Sequence, residues 1–240
     1  MRKSKCIAII PARGGSKRIP GKNIKLFNGR PIISYAINEA LTSKIFDRVL
    51  VSTDCRAIAD VAVQYGAEVP FLRPRSLSDD YTNTGKVVDH VLQELRLEGE
   101  MYDFCCTIYA TSPFLKAKYL KQGVAALIES DAVYSFAATT FSAPVHRSFE
   151  ITKNGRARMF WPEYFSIRSQ DLPEAYQDAG QFYWKRLQFD RKIPDSENIF
   201  SELGIPVKLP RSLVQDIDTI EDWEVAELMY RALQLKTKTD

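Results

Sequence analysis

Residues 7–23 read Ile-Ala-Ile-Ile-Pro-Ala-Arg-Gly-Gly-Ser-Lys-Arg-Ile-Pro-Gly-Lys-Asn, an apolar run that turns abruptly into a basic, glycine-rich loop. The loop carries four cations, at Arg13, Lys17, Arg18 and Lys22. Glycine lets a backbone approach a ligand closely, and cations beside backbone N–H groups suit a polyanion such as a triphosphate. We therefore predict a phosphate-binding loop at the end of a first strand, where open α/β sheets bind ligands. The alternative is a solvated basic surface loop.

The first 140 residues alternate short apolar runs with helical patterns. The apolar runs predict buried strands at Cys6–Ile10, Arg48–Thr53, Phe104–Ala110 and Ala132–Ala138. Apolar residues at helical spacing predict helices over Pro31–Ser43, Cys55–Tyr65, Thr84–Glu98 and Lys116–Ser130, with a last one from about Thr219 to Leu235. This βαβα order predicts an α/β fold, with a mostly parallel, Rossmann-like sheet and helices on both faces.

The alternation stops between residues 141 and 184, where prolines and aromatic residues accumulate without a long amphipathic helix. Such composition is commoner at interfaces and ligand pockets than on a plain solvated face. We therefore predict an α/β domain made of residues 1–140 and 185–240, interrupted by an inserted lobe at 141–184. The lobe could be loop-rich, a small β unit or an oligomerisation arm.

The overall composition excludes several classes of protein. The 240-residue chain is 45% hydrophobic, and its net charge of +3 is too small to predict binding to nucleic acid or an anionic membrane. Its four cysteines, Cys6, Cys55, Cys105 and Cys106, lack metal-binding spacing and are predicted to be reduced thiols. No signal-peptide pattern and no apolar run of about 18 residues is present, so we expect a cytoplasmic protein.

Two carboxylates near the end of the chain, Asp216 and Asp218, suit a metal site. Side chains two residues apart on an extended segment project to the same side, and paired carboxylates can hold Mg²⁺ together with substrate phosphates. The alternative is a helix cap, in which Asp218 and Glu221 form a capping box.

Three other polar segments are candidates for a site. Asp54 ends a predicted strand and is more typical of a cap for the following helix. Arg73 could contact a base or phosphate, or pair with a carboxylate on the surface. Residues 168–173 and 178–182 are rich in donors and acceptors for a polyhydroxylated ligand, although polar turns have the same composition.

Together these segments resemble the acylneuraminate cytidylyltransferase family, also called CMP-sialic acid synthetases. The resemblance covers nearly the whole chain. Six motifs carry it in order: Ile10–Asn23, Val51–Asp54, Arg73-Pro74, Ala110–Pro113, Arg168–Pro173 and Asp216–Asp218. Within the family the chain looks most like the pseudaminic acid cytidylyltransferases, on the segment Ala175–Trp184. Tyr109 stands where sialic acid enzymes usually carry Gln, which argues against N-acetylneuraminate as the substrate.

The resemblance implies a nucleotide-diphospho-sugar transferase fold. It implies a reaction that joins CMP from CTP to the anomeric hydroxyl of a nonulosonic acid, with pseudaminic acid as the expected substrate, and releases pyrophosphate. It also implies a homodimer, in which residues 141–184 form a dimerisation lobe that reaches towards the partner's active site. Two alternatives remain: the same chemistry on N-acetylneuraminate or another nonulosonate, and a non-catalytic nucleotide-sugar-binding module.

The resemblance also assigns roles by motif position. It gives catalytic roles to Arg13, Lys22, Asp216 and Asp218, and it makes the two aspartates the ligands of Mg²⁺, or alternatively of Mn²⁺. The implied nucleotide contacts are Ala12, Arg13, Gly14, Gly15, Ser16, Lys17, Lys22, Asn23, Arg73 and Thr84. The implied sugar contacts are Tyr109, Thr111, Ser112, Arg168, Gln170, Asp178, Gln181 and Phe182.

Overall fold

The strands and helices were located in a computed structural model that describes residues 4–188 and 198–236. The strands are β1 (Cys6–Pro11), β2 (Leu26–Phe27), β3 (Arg30–Pro31), β4 (Arg48–Ser52), β5 (Phe104–Ile108), β6 (Tyr134–Thr140), β7 (Phe149–Ile151), β8 (Ala157–Met159), β9 (Tyr176–Arg186) and β10 (Gly204–Lys208). The helices are α1 (Ile33–Ser43), α2 (Arg56–Gln64), α3 (Thr84–Leu97), α4 (Ala117–Ile128) and α5 (Ile220–Lys236).

The central sheet has six strands in the order β10-β6-β9-β5-β1-β4. Strand β9 runs antiparallel to both of its neighbours, and every other pair in this sheet is parallel. Helices α1, α2 and α4 contribute to the core on one face, and α3 contributes to the core on the other. The predicted α/β class, with its mostly parallel sheet and helices on both faces, is confirmed.

Strand β1 shows why the first strand has no polar alternation. Its side chains point alternately to two faces, and both faces are covered. Ile7 and Ile9 belong to the cluster with Val88 and Val91 of α3, while Ala8 belongs to the cluster formed with α1, α2 and α4. All three are fully buried, so an uninterrupted apolar run is what this position requires.

The beginning of α1 differs from the prediction. Pro31 was expected at the first helical position, but it lies in β3, which pairs with β2 as a short antiparallel hairpin. The helix begins at Ile33. Pro31 can lie in this hairpin because an edge strand tolerates a residue without a backbone N–H.

The predicted lobe boundary at residue 184 is wrong, because β9 lies in the middle of the central sheet. Its pairing with β6 is interrupted by an irregularity between Phe136 and Ala138. Opposite this point Gly180 has a φ of 61°, and its N–H donates to Asp178 Oδ1 at 2.9 Å. This local loop within the strand has the composition of a polar turn, which explains why the pattern did not predict a strand.

Residues 141–175 lie outside the central sheet. Strands β7 and β8 form an antiparallel pair there, and short 3₁₀ turns make up much of the rest. Several large apolar side chains of this segment are exposed: Phe149, Ile151, Phe160, Trp161 and Phe165.

A separate apolar cluster fastens the last helix to the loop after β1. Ile19 of that loop and Ile217, between the two aspartates, are both buried in it, around Phe27 and Trp223. The ring centroids of Phe27 and Trp223 lie 5.5 Å apart with their planes at 79°, a favourable edge-on contact. Packing of these apolar residues therefore places the aspartates beside the basic loop.

The part of the chain that the structure describes has no helix long and apolar enough to cross a membrane. The predicted cytoplasmic location stays a prediction. Cys6, Cys105 and Cys106 are buried and Cys55 is half-buried, and none of these four cysteines is in a disulfide. Burial raises the pKa of Cys105 to about 12, which makes that thiol a poor nucleophile.

We predict that Gly123→Ala destabilises the fold. A Cβ on Gly123 would lie 2.6 Å from Cδ1 of Trp184, whose ring is fully buried and whose Nε1 donates to the Leu120 carbonyl at 3.1 Å. Overpacking of this kind costs about 1–3 kcal/mol, which should lower Tm by several degrees. Gly85→Ala is the matched control, since its Cβ would have 3.4 Å to the nearest atom. Equal melting temperatures for the two variants, measured by calorimetry, would contradict this packing.

Candidate active site

The carboxyl ends of the parallel strands β1, β4 and β5 lie at one edge of the sheet, and a cleft of about 490 Å³ opens there. Five cations and two carboxylates are among the residues that line it. Seven of the predicted nucleotide contacts are in the lining: Arg13, Ser16, Lys17, Lys22, Asn23, Arg73 and Thr84. The positive excess suits a polyanionic ligand.

The loop after β1 is held in shape by its own residues. Asn23 is buried, and its Nδ2 donates to the Arg13 carbonyl at 2.9 Å across the loop. Gly21 has a φ of 63°, a left-handed conformation that permits the turn into the short helix Lys22–Ile24. The loop therefore presents its cations from a defined backbone.

Two of the loop cations converge on one carboxylate. Arg13 Nη1 lies 2.6 Å from Asp80 Oδ1, and Lys17 pairs with the other oxygen of Asp80. Lys17 and then Arg13 hold the pKa of Asp80 below its ordinary value. An anionic ligand at this position would compete with Asp80 for the same two cations.

The other two loop cations pair with Asp218. Arg18 Nη1 lies 2.7 Å from Asp218 Oδ2, and Lys22 Nζ lies 3.5 Å from Oδ1. Lys22 Nζ also donates to the Ile217 carbonyl. The basic loop is thus joined to the aspartate segment by charge as well as by apolar packing.

The capping alternative for Asp218 is wrong, because its neighbours perform that function. Thr219 N donates to Asp222 Oδ2 at 2.7 Å, and Asp222 N donates back to Thr219 Oγ1 at 3.2 Å. This reciprocal pair is a capping box at the start of α5. The carboxylate of Asp218 is not needed by the helix and can serve a ligand.

Asp216 and Asp218 would supply two carboxylate ligands to a hard divalent cation, which is only part of the set that such an ion needs. Desolvation first, and then the charge of Asp218, raise the pKa of Asp216, as expected where two carboxylates share a region that a cation could neutralise. Within residues 4–188 and 198–236 no group of three or more His, Cys, Asp or Glu side chains could hold a metal. A magnesium ion here would take its remaining ligands from phosphate and water, as Mg²⁺ commonly does in proteins.

A second cavity, of about 350 Å³, adjoins the cleft and shares Thr84 with it. Tyr109 and Asp178, two of the predicted sugar contacts, line it together with Tyr183, which was not among the predicted site residues. The rings of Tyr109 and Tyr183 are 5.2 Å apart, and Tyr183 Oη donates to Asp178 Oδ2 at 2.6 Å. Burial, and then this bond to Asp178, raise the pKa of Tyr183, so its hydroxyl stays a neutral donor.

The sequence of residues 7–219 matches the family model described as Cytidylyltransferase. The chain belongs to the cytidylyltransferase family. It is 44% identical over 227 residues to the pseudaminic acid cytidylyltransferase of Campylobacter jejuni subsp. jejuni serotype O:2, covering 95% of this chain and 97% of that one. It is 34% identical to the CMP-N,N'-diacetyllegionaminic acid synthase of Legionella pneumophila, covering 92% of this chain and 94% of that one.

The fold is similar to that of a solved CMP:2-keto-3-deoxy-manno-octonic acid synthetase complexed with CTP, with a TM-score of 0.68. That structure shares 16% sequence identity and covers 95% of this chain and 99% of the other, so it supports the fold alone. The predicted resemblance to this group of cytidylyltransferases is confirmed, as is the nucleotide-sugar transferase architecture.

Three predicted nucleotide contacts of this cytidylyltransferase, Ala12, Gly14 and Gly15, do not line the cleft. Ala12 is buried and its N–H donates to the Ser52 carbonyl at 2.9 Å, so it extends the pairing of β1 with β4. Gly14 donates its N–H to Asp54, and Gly15 is exposed at the loop tip. A direct contact with the nucleotide stays a prediction for all three residues.

The predicted sugar contact by the side chain of Phe182 is contradicted. Phe182 is fully buried in the main core, where the alternation of β9 points it away from Tyr183 and into the apolar layer. Gln181 is also buried, and its Nε2 donates to the Leu213 carbonyl. Ser112 is buried as well, whereas Thr111 is half-buried after β5.

Arg168 and Gln170 are placed in the lobe rather than in either cavity of their own chain. Both are exposed, and Arg168 Nε pairs with Asp171 Oδ2 at 2.6 Å. Neither residue is among those that line the cleft or the second cavity.

We predict that Asp80→Asn strengthens binding of inorganic triphosphate by this enzyme. The change removes the carboxylate that competes for Arg13 and Lys17, and because exposed ion pairs are weak the Kd should fall only about two- to fivefold. Titration calorimetry at low salt measures the Kd for triphosphate, and Asp60→Asn, on the exposed face of α2, is the control. Weaker binding by the Asp80 variant would show instead that Asp80 orders the loop.

Proposed function

We propose that this enzyme joins CMP from CTP to the anomeric hydroxyl of pseudaminic acid, a nonulosonic acid, and releases pyrophosphate; its similarity to pseudaminic acid cytidylyltransferases supports this substrate. The observation that carries the proposal is the arrangement of the site. A cationic cleft adjoins the aspartate pair through Lys22 and adjoins the aromatic cavity through Thr84. One nucleotide and one sugar could therefore meet between them.

The main chemical problem is the negative charge of a triphosphate and a carboxylate sugar brought together. Arg13 and Lys17 exchange Asp80 for phosphate oxygens, and Lys22 remains close to both the cleft and Asp218. Because these groups are preorganised, little reorganisation is needed when charge develops on the leaving pyrophosphate. Asn23, Arg73 and Thr84 contribute further nucleotide contacts from the same cleft.

Asp216 and Asp218 would hold Mg²⁺, with Mn²⁺ as an alternative. A metal held there would neutralise phosphate oxygens and lower the pKa of a coordinated hydroxyl. Neither of the two histidines, His90 in α3 and His146 in the lobe, lines the cleft, so no imidazole is positioned there as a general base. The chain's contribution is to hold the metal and to neutralise charge.

The second cavity receives the sugar. Tyr109 and Tyr183 offer ring faces and Asp178 offers a carboxylate acceptor beside them. Tyr109 lines this cavity at the position where sialic acid enzymes usually carry Gln. A Tyr hydroxyl and aromatic ring contact different sugar groups than a Gln amide does, so this position would select among nonulosonic acids. Thr111 and Ser112 stay proposed sugar contacts by their motif position, although neither lines this cavity and Ser112 is buried.

Pyrophosphate release tests the reaction directly. The purified enzyme with CTP and Mg²⁺ should release pyrophosphate with pseudaminic acid and much less with N-acetylneuraminate, legionaminate or 3-deoxy-manno-octulosonate. Release with another of these sugars alone would overturn the substrate and leave the chemistry standing. Binding of a CMP-sugar without any release would favour a non-catalytic binding module.

Metal removal and a substitution test the aspartate pair. Chelation of Mg²⁺, or the change Asp218→Asn, should reduce turnover by at least about a hundredfold, because metal-assisted charge stabilisation is worth several kcal/mol. Asp60→Asn is the matched carboxylate control and should keep wild-type turnover. Near wild-type turnover by the Asp218 variant would contradict its role as a ligand.

We further propose a homodimer in which the lobe of one copy completes the site of the other. In a single chain Phe149, Phe160 and Phe165 are exposed to solvent, which is typical of an interaction surface. In the dimer these three side chains would be covered at the interface. Arg168 and Gln170, which do not line their own chain's cavities, would then contact the sugar in the partner's site, with Arg168 facing the sugar carboxylate.

Mixed dimers test this arrangement. Arg168→Ala and Asp218→Asn should each be inactive alone, but a refolded equimolar mixture should recover about a quarter of wild-type turnover, since half of the dimers contain one intact site. Sedimentation measures whether dimers form. If Arg168 acts within its own chain, the mixture will recover no activity, and the shared site will be disproved.

A further inference from the structure

Asp54 has a role that differs from its predicted one as a helix cap. The cap of α2 is Cys55, and it has no side-chain hydrogen bond to the helix. The N–H of Cys55 instead donates to Thr53 Oγ1 at 3.1 Å. The carboxylate of Asp54 is therefore not used to begin the helix.

The carboxylate of Asp54 joins two separate segments of the nucleotide cleft. Its Oδ1 accepts the N–H of Gly14 at 2.9 Å, and the same oxygen lies 3.7 Å from Nη2 of Arg73. Gly14 belongs to the basic loop after β1, whereas Arg73 belongs to the segment before α3. One oxygen atom thus connects the loop to an arginine 59 positions further along the chain.

The backbone segments around Asp54 are held close together, which restricts where its side chain can lie. The Arg73 N–H donates to the Thr53 carbonyl at 2.8 Å, so the backbones on either side are already tied together. A side chain at Gly14 would place its Cβ 2.9 Å from Cβ of Cys55, so only glycine allows this approach. The backbone segments are therefore packed closely together at the point where Asp54 acts.

Arg73 also needs a counter-charge at this position. Its side chain is only 3% exposed, and burial lowers its pKa, an effect that the charge of Asp54 opposes. Its Nε donates to Ser78 Oγ at 3.1 Å, which fixes the other side of the guanidinium. Asp54 and Ser78 together therefore hold the buried guanidinium in one orientation, with a counter-charge beside it.

We propose that Asp54 is a positioning residue, which fixes the basic loop and Arg73 relative to each other before the nucleotide binds. The residue does not line the cleft and acts through Gly14 and Arg73. Preorganisation of this kind lowers the ordering cost of binding. The inference rests on the proposed use of CTP.

Two substitutions at one position separate the contributions. Asp54→Ala removes both contacts and should raise the KM for CTP about tenfold, the effect expected for loss of a hydrogen bond to a charged acceptor. Its kcat at saturating CTP should change much less, because the metal ligands are untouched. Asp54→Asn keeps an oxygen for the Gly14 N–H, so its KM should lie between those of the wild type and the alanine variant. Asp60→Asn is the matched control.

A double-mutant cycle tests whether Asp54 affects the KM for CTP through Arg73. In an Arg73→Met background, Asp54→Ala should raise the KM for CTP by clearly less than in the wild type, because one of its two partners is already absent. Thermal melting of each variant is measured in parallel. Full additivity with Arg73→Met, or an unchanged KM in both Asp54 variants, would overturn the proposal. If the alanine variant does not fold, the asparagine variant supplies the same comparison. An inactive wild type would instead count against the proposed use of CTP.

Discussion

Opposite charges face each other across the carboxyl edge of the sheet, and the arrangement of the other site residues depends on this pairing. Four cations within ten residues of one loop would repel one another if they were left unpaired. Asp80 neutralises two of them from one side, and Asp218 neutralises the other two from the other side. The cleft can therefore exist before a ligand arrives, and a polyphosphate has to replace a carboxylate to enter it.

The sequence predicted the sheet and much of the cleft because both depend on local patterns. Fully apolar strands such as β1 occur where helices cover both faces, and parallel strands deliver the segments that follow them to one edge. Charge and glycine content then identified the loop with Arg13 and Lys22, which the structure places in the cleft. The position of Arg73 in the same cleft followed from its motif in the resembling family.

The features that were missed depend on contacts between distant residues. Neither Asp80 nor Tyr183 has a local pattern that distinguishes it from an ordinary surface aspartate or a strand tyrosine. Strand β9 was not predicted because a glycine with positive φ interrupts its pairing. The capping box at α5 lies one residue beyond the predicted one, and only the three-dimensional contacts distinguish the two. Alternation along β9 could have assigned Phe182 to the core.

Calorimetric titration of the enzyme with cytidine, CMP and CTP at increasing ionic strength measures whether the basic cleft binds the phosphates of a nucleotide through charge. Affinity should rise steeply from cytidine to CTP, and the advantage of CTP should shrink as salt screens the loop cations. Equal affinities for CMP and CTP, unchanged by salt, would contradict binding through charge.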